Sequence, residues 1–249
     1  RQYMLMVGGF AYETDWNHGI DGKIVAWKHE RTCKKNMADA PYGLYVTQRS
    51  LQERYPCTGK TIGCSDVEIM DLSPSFLEER LKKMTSGKGI LSLGTAANID
   101  DKLKGHRFEY HLLGNGRGEE LLSYARQCGV ENQVIIDGSK PHNEVYGWLD
   151  SIDIYIQPSF TEGLCRAVVE AMSRACPVVC TNVGGNSELC SNEYLVKPGD
   201  SEGIAKALES LISPDERKKQ AQISFEKAHD YYSETLDQKR QEFLLDFMK

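Results

Sequence analysis

DSIDIYIQPSFTEGLCRAVVEAM, residues 150–172, is the stretch that decides the fold. Its first half, Ile152 to Ile156, is an apolar run that Pro158 stops, the pattern of a buried strand. Its second half opens a helix that the sequence places at Ala167 to Arg174. The residues between them carry the chemistry. Glu162 sits in the loop after the strand and Glu170 about one turn into the helix, so both face the carboxyl edge of a sheet. The N–H groups of Gly163, Leu164 and Cys165 lie at the helix N-terminus, where unpaired donors and the helix dipole suit a phosphate. A carboxylate beyond the helix start can hold two vicinal hydroxyls by charge-assisted bonds. A phosphate between two such grips describes a nucleotide sugar: sugar at Glu162, diphosphate at the amides, ribose at Glu170. The same spacing also fits a Glu162 that caps the helix and a solvated Glu170, and spacing alone does not choose between them.

Outward from this stretch the pattern repeats. Strands are predicted at Ile90–Gly94, Phe108–Leu113, Gln133–Ile136, Val178–Thr181 and Tyr194–Val196. Helices are predicted at Glu119–Cys128, Asn143–Leu149 and Ser201–Ile212, with two more closing the chain. Strict alternation predicts a parallel sheet with helices on both faces and right-handed crossovers. Ligands bind such sheets at the carboxyl ends of the strands, here the loops after Leu93, Leu113, Ile136, Ile156 and Val179. Residues 1–70 read as the closing part of another α/β domain: strands at Met4–Val7 and Gly43–Thr47, helices at Gly22–Met37 and Ser50–Arg54. Asp66 to Ser75 reads as an interdomain linker. One place does not add up. A βαβ crossover takes about 10–12 residues with its helix, yet Thr95 to Arg107 shows no helical apolar stripe, which predicts a missing segment between Gly105 and Phe108. A first residue that is not Met predicts missing sequence there too.

Composition narrows the class. At 249 residues the chain is long enough for one to two domains. Thirty Lys and Arg against 36 Asp and Glu leave a net charge of −6, which argues against a nucleic-acid binder. No apolar run reaches the roughly 18 residues of a transmembrane helix, and no signal peptide frames the start. Eight cysteines without a CxxC pair, in a chain this rich in apolar strands, read as reduced and mostly buried thiols, with no zinc site and a cytoplasmic setting.

With those motifs in place, residues 130–200 resemble the donor domain of retaining glycosyltransferases of the GT-B fold, the group 1 (family 4-like) enzymes that carry the EX7E signature. Here the signature is Glu162…Glu170. Three further motifs match in order: Asp150–Ser159, Val183-Gly184-Gly185-Asn186-Ser187-Glu188-Leu189, and Val196-Lys197-Pro198-Gly199-Asp200. The resemblance covers about residues 42–249 and is strongest to bacterial enzymes of surface polysaccharide synthesis, lipopolysaccharide or capsule. It implies an α/β, Rossmann-like donor domain at 71–232, complete, after an incomplete acceptor-side domain at 1–70, and a C-terminal helix at 233–249 that crosses back.

The resemblance also implies roles. Glu162 and Lys104 would be catalytic, with Lys104 the cation on the donor diphosphate. Thr95-Ala96 stands where the family often has a second cation, an arginine. Gly94, Thr95, Gly163, Leu164 and Cys165 would border the diphosphate and sugar, Glu170 would hold the ribose, and Gly114, Asp137 and Gly138 would meet the base. Cys165 packs the helix start, since no histidine near it in sequence supports a nucleophile. His18 would approach the donor sugar from the first domain. The expected reaction moves a sugar with retention from a UDP- or GDP-type donor to a carbohydrate or lipid-linked acceptor hydroxyl, without cofactor or metal. The competing readings are a hydrolase or epimerase of the same fold, with Glu13 or Asp15 activating water, and a non-catalytic donor-binding partner. The helix with Lys23, Lys28, Arg31, Lys34 and Lys35 is either a solvated face or a surface for anionic lipid or a pyrophosphate-linked acceptor, the latter giving peripheral contact with the inner face of the membrane.

Overall fold

The structure, a computed structural model, describes residues 3–12, 19–85, 90–95, 108–114, 116 and 118–249. The chain opens with β1 (Met4–Val7), α1 (Gly19–Ala38), β2 (Tyr42–Tyr45), α2 (Ser50–Arg54) and β3 (Lys60–Gly63). The three strands form one parallel sheet in that order. Gly22, Ala26, Glu30 and Met37 make the buried stripe of α1 at helical spacing. Glu30 is the exception in that stripe. Burial pushes its carboxyl up, but the Tyr55 hydroxyl at 2.6 Å, Lys34 at 3.0 Å and Arg54 at 2.6 Å outweigh it and hold the pKa below the ordinary value.

A second sheet follows α3 (Pro74–Thr85). Its elements are β4 (Leu91–Thr95), β5 (Phe108–Leu113), α4 (Gly118–Cys128), β6 (Val134–Gly138), α5 (His142–Ser151), β7 (Ile154–Gln157), α6 (Arg166–Ser173), β8 (Val178–Thr181), α7 (Asn186–Leu189), β9 (Leu195–Val196), α8 (Ser201–Ser210), α9 (Pro214–Ala228) and α10 (Ser233–Phe247). All six strands are parallel, in the order β6-β5-β4-β7-β8-β9. The chain runs outward from β4 to β6, then restarts at β7 on the other side of β4. The crevice at the carboxyl ends of β4 and β7 is therefore the topological switch point, the place where doubly wound sheets bind ligands. The segment from 152 to 172 lies across it. Ile154, Val168, Val169 and Met172 are fully buried in the central core, and each such side chain contributes roughly 1.5–3 kcal/mol by leaving water.

The structure corrects several expectations. Lys60–Gly63, not expected from the sequence, is an edge strand with Ile62 its one large apolar residue, so no period-2 alternation announces it. Asp66 to Ser75, expected as the interdomain linker, runs from the first sheet to the elements of the second and is packed against the second core. Val67 and Ile69 are buried in the second core, and α3 begins at Pro74. The Ile69 N–H donates to the Tyr231 carbonyl at 2.9 Å and the Ser233 N–H to the Ile69 carbonyl at 3.0 Å. The chain thus leaves the first sheet and returns to it side by side. Helix α10 then packs on the first sheet, with Tyr42 edge-on to Phe243 and Phe247 and Lys60 paired to Asp246 at 2.6 Å. Residues 96–107, which connect the parallel neighbours β4 and β5 and include the suspected break at Gly105–Phe108, lie outside the described residues apart from Phe108 itself. All eight cysteines are free thiols, five of them buried. No described helix is long and apolar enough to cross a membrane.

Candidate functional site

Strand β7 ends in a hydrogen-bonded chain that aims Glu162. The buried Tyr155 hydroxyl donates to Gln157 Oε1 at 2.8 Å. Gln157 Nε2 donates to Ser159 Oγ at 2.8 Å and to Glu162 Oε1 at 3.2 Å, and Ser159 Oγ donates to the same oxygen at 2.7 Å. Thr181 at the end of β8 ties down the turn, its hydroxyl donating to the Ser159 carbonyl at 2.5 Å. Glu162 therefore does not cap the helix; it is held on the strand side by two donors. Burial first, then Cys165, Glu170, Tyr110 and Glu162, drive the Tyr155 phenol far above its ordinary pKa.

The helix that follows begins one residue earlier than expected, at Arg166. Cys165 is its buried N-cap. Burial, then the Glu162 charge, push the thiol up to about 12, against the weaker pull of the Val168 and Ala167 amides. A thiol so raised is protonated at neutral pH and serves packing, not nucleophilic attack. The Gly163 carbonyl is fixed by the Gly185 N–H at 2.7 Å. Among the described residues, the N–H groups of Gly163, Leu164 and Cys165 make no hydrogen bond. Three open donors ahead of a helix N-terminus are suited to an anion. Glu170, one turn into α6, is buried and not solvated, and its Oε1 is 3.0 Å from His142 Nε2 at the start of α5.

Two glycines explain how this loop is held. Gly184 has φ +51, and a Cβ there would lie 1.8 Å from the Glu162 carbonyl oxygen. A Cβ on Gly163 would lie 2.6 Å from the carbonyl oxygen of Gly8, just past β1. The carboxyl ends of the two sheets therefore meet here. Glu188 fastens them: its carboxylate accepts from the backbone N–H of Gln48 at 2.6 Å and of Ser50 at 2.7 Å, and from the Ser50 hydroxyl. Beside that contact lies a cavity of about 420 Å³ lined by Phe10, Arg49, Ser50, Glu53, Arg54, Gly184 and Ser187.

Other expected site residues are placed differently. Gly94 lies inside β4, where a Cβ would strike Ile152 and Trp148 at 2.8 to 2.9 Å, so packing requires that glycine. Thr95 is fully buried and hydrogen-bonded to Tyr110, presenting no side chain to the crevice. Asp137 and Gly138 are the last residues of β6, not its loop. Asp137 Oδ2 is bonded to Trp148 Nε1 at 2.7 Å and His111 Nδ1 at 2.9 Å, so the carboxylate is tied into the fold; the base contact expected of this position is one of its backbone. Gly114 and Gly138, both with positive φ, are joined by an N–H to carbonyl bond of 2.8 Å at the same edge. His18, Lys104, Asn115, Glu13 and Asp15 lie outside the described residues. The sequence reading missed Gln157, Ser159 and His142. Their signal was position: each stands at the carboxyl end of a strand or the start of the helix after it.

The arrangement defines a class: a Rossmann-like α/β protein of GT-B type, with two parallel sheets meeting at their carboxyl ends and paired carboxylates at the switch point. The chain belongs to the glycosyl transferases group 1 family, whose pattern matches residues 81–227. Among its relatives, protein CapJ of Staphylococcus aureus is 30% identical over 262 residues, spanning all of this chain and 66% of CapJ. The amylovoran biosynthesis glycosyltransferase AmsK of Erwinia amylovora is 35% identical over 138 residues, 51% of this chain and 33% of AmsK. This chain shares its fold with Anabaena HepE, solved in complex with UDP, at a TM-score of 0.73 and 19% identity, covering 99% of this chain and 72% of HepE. The chain thus spans from about one third to about two thirds of the curated relatives it matches.

Proposed function

We propose that this protein transfers a sugar, with retention, from a nucleoside diphosphate sugar to a hydroxyl acceptor in the synthesis of a bacterial surface polysaccharide. One observation carries the reading. Glu162 and Glu170 both stand at the switch point, and the open amides of Gly163–Cys165 lie between them in the chain. The amides and the α6 dipole would take the diphosphate, and Glu170 the ribose hydroxyls. Glu162, aimed by Gln157 and Ser159, would orient the donor sugar. The difficult step is expulsion of the diphosphate while positive charge grows on the anomeric carbon. Donors already fixed toward the departing charge lower that barrier without reorganising. The glycosidic C–O bond to phosphate breaks as the acceptor oxygen bonds to the same face, and the leaving phosphate takes the acceptor proton. Retention then needs no protein nucleophile, in keeping with a Cys165 thiol that stays protonated. Lys104, by resemblance, adds a cation on the diphosphate, and the 420 Å³ cavity beside Gly184 is where we place the acceptor.

The relatives' roles support the polysaccharide setting, since AmsK is named for amylovoran biosynthesis. The test is thermal shift against UDP, GDP and ADP and their sugars, with and without chelator, for the unaltered chain and Glu170→Gln. A ligand at 100 times its Kd adds roughly 2.7 kcal/mol, about 5–10 °C for a chain of this size. We expect one base to give that shift, chelator to leave it unchanged, and Glu170→Gln to lose it. A full shift in Glu170→Gln would remove the ribose role.

We also propose that α1 gives the protein its peripheral contact with the inner face of the membrane. Ile24, Lys28, Arg31 and Lys35 form one exposed stripe at helical spacing, opposite the buried one, and Arg31 stacks over the exposed Trp27 at 5.5 Å. Basic residues beside an exposed indole suit an anionic lipid surface. Each basic residue near such a surface is worth about 1 kcal/mol. Arg31→Glu with Lys35→Glu should therefore weaken co-sedimentation with phosphatidylglycerol vesicles more than about tenfold. Equal binding to phosphatidylcholine, or no effect of the double change, would refute the contact.

A further inference from the structure

We propose that His142 is a positioning residue for the ribose-binding carboxylate; this rests on the nucleotide-sugar reading of the Glu162–Glu170 edge. The Glu170 side chain is only 9% exposed, and its neighbours on α6 (Val168, Val169, Ala171 and Met172) belong to the core. A carboxylate so far removed from water needs a hydrogen-bond partner. It finds one on a different helix, in His142 Nε2 at 3.0 Å. A carboxylate accepts, so Nε2 carries the hydrogen. The bond occupies one acceptor site on Oε1 and fixes the carboxylate rotamer, and the remaining lone pairs stay open to two vicinal hydroxyls.

His142 is itself held. Although 65% exposed, its ring meets Tyr146, one turn along α5, edge to face at 5.5 Å and 82°. The Arg174 guanidinium lies 6.0 Å from the centre of the Tyr146 ring and is paired to Asp150 through two bonds of 2.7 and 2.6 Å. An exposed imidazole clamped between an aromatic edge and a buried carboxylate has already lost its rotamer freedom. That loss is met before the nucleotide arrives, which is what preorganises a binding group. The role is thus to aim Glu170, not to react.

The test is calorimetric titration of the full chain with UDP, GDP or ADP, whichever gives the thermal shift, and with its 2′,3′-dideoxy analogue. His142→Phe keeps the ring against Tyr146 and removes the donor; His142→Gln keeps a donor. We expect His142→Phe to weaken the ribonucleotide about tenfold, the worth of one net hydrogen bond to a charged group, and the dideoxy form by less than about twofold. His142→Gln should recover most of the loss, and His142→Phe added to Glu170→Gln should cost nothing more. Equal losses for both nucleotides, or no loss, overturn the role of His142 alone. Failure of the unaltered chain to bind any of the three nucleotides overturns the nucleotide site and this inference with it. Should His142→Phe fail to fold, His142→Leu provides the same comparison.

Discussion

Gly184→Ala is expected to lower the melting temperature by roughly 6–12 °C and to abolish the nucleotide-induced shift. Two costs add. At φ +51 any Cβ strains the backbone by about 1–2 kcal/mol. The added methyl would also sit 1.8 Å from the Glu162 carbonyl oxygen and 2.8 Å from its carbon, with the Phe10 ring at 3.1 Å behind it. Backbone cannot rotate away as a flexible side chain can, so the 159–164 loop must shift and carry the Glu162 carboxylate with it. A total of about 3 kcal/mol corresponds to that melting change at 2–4 °C per kcal/mol for a chain of this length. Gly199→Ala is the internal control. Its φ is also positive, +76, but a Cβ there would touch only the Phe160 ring at 3.7 Å. It should cost the strain alone and leave nucleotide binding intact. Equal effects at the two positions would show that the approach to Glu162 does not matter.

Glu162→Gln is expected to cut turnover by about 10²–10³-fold, the usual cost of losing one preorganised electrostatic group, with nucleoside diphosphate affinity nearly unchanged. The substitution is nearly isosteric. It removes the charge that Gln157 and Ser159 are arranged to aim, and the open amides of Gly163–Cys165 remain. Because the carboxylate is assigned to the sugar, the change should appear in kcat and in affinity for the intact donor, not for the free diphosphate. Parallel titrations of nucleoside diphosphate and nucleotide sugar separate the two. If both ligands weaken equally, Glu162 serves the loop's structure and not the sugar.

Much of the frame was legible because its signals are local. The apolar run Ile152–Ile156, stopped by Pro158, and the Pro-Gly-Asp turn announce strand ends directly. In the structure Gly199 adopts the positive φ of that turn and the Asp200 carboxylate caps α8 by accepting from the Gly203 N–H at 2.8 Å. Helix α3 was not legible because its inward stripe of Phe76, Leu77, Leu81 and Met84 is broken by a charged residue, Arg80, that proves buried. The site was legible in its two carboxylates and hidden in its supports. Gln157 and Ser159 look like ordinary strand-end polar residues until Glu162 folds back onto them. His142 and Glu170 are 28 positions apart and meet only through the packing of α5 beside α6. The Asp137 side chain, too, finds its partners off its own strand, in Trp148 and His111.

That same Arg80 has a consequence for how the site can vary. Its guanidinium donates to the carbonyls of Leu149, Ile152 and Arg174 and to Cys176 Sγ. Those carbonyls lie at the far ends of α5 and α6, the helices whose near ends present His142 and the Cys165–Glu170 turn. One side chain from a third helix thus bolts the two levers together at their base, about 10–15 Å from their working tips. Loops at the tips can be exchanged, lengthened or recoloured with new side chains while the angle between the levers stays set. A scaffold anchored this way can change the residues of its rim without having to rediscover how to aim its carboxylates.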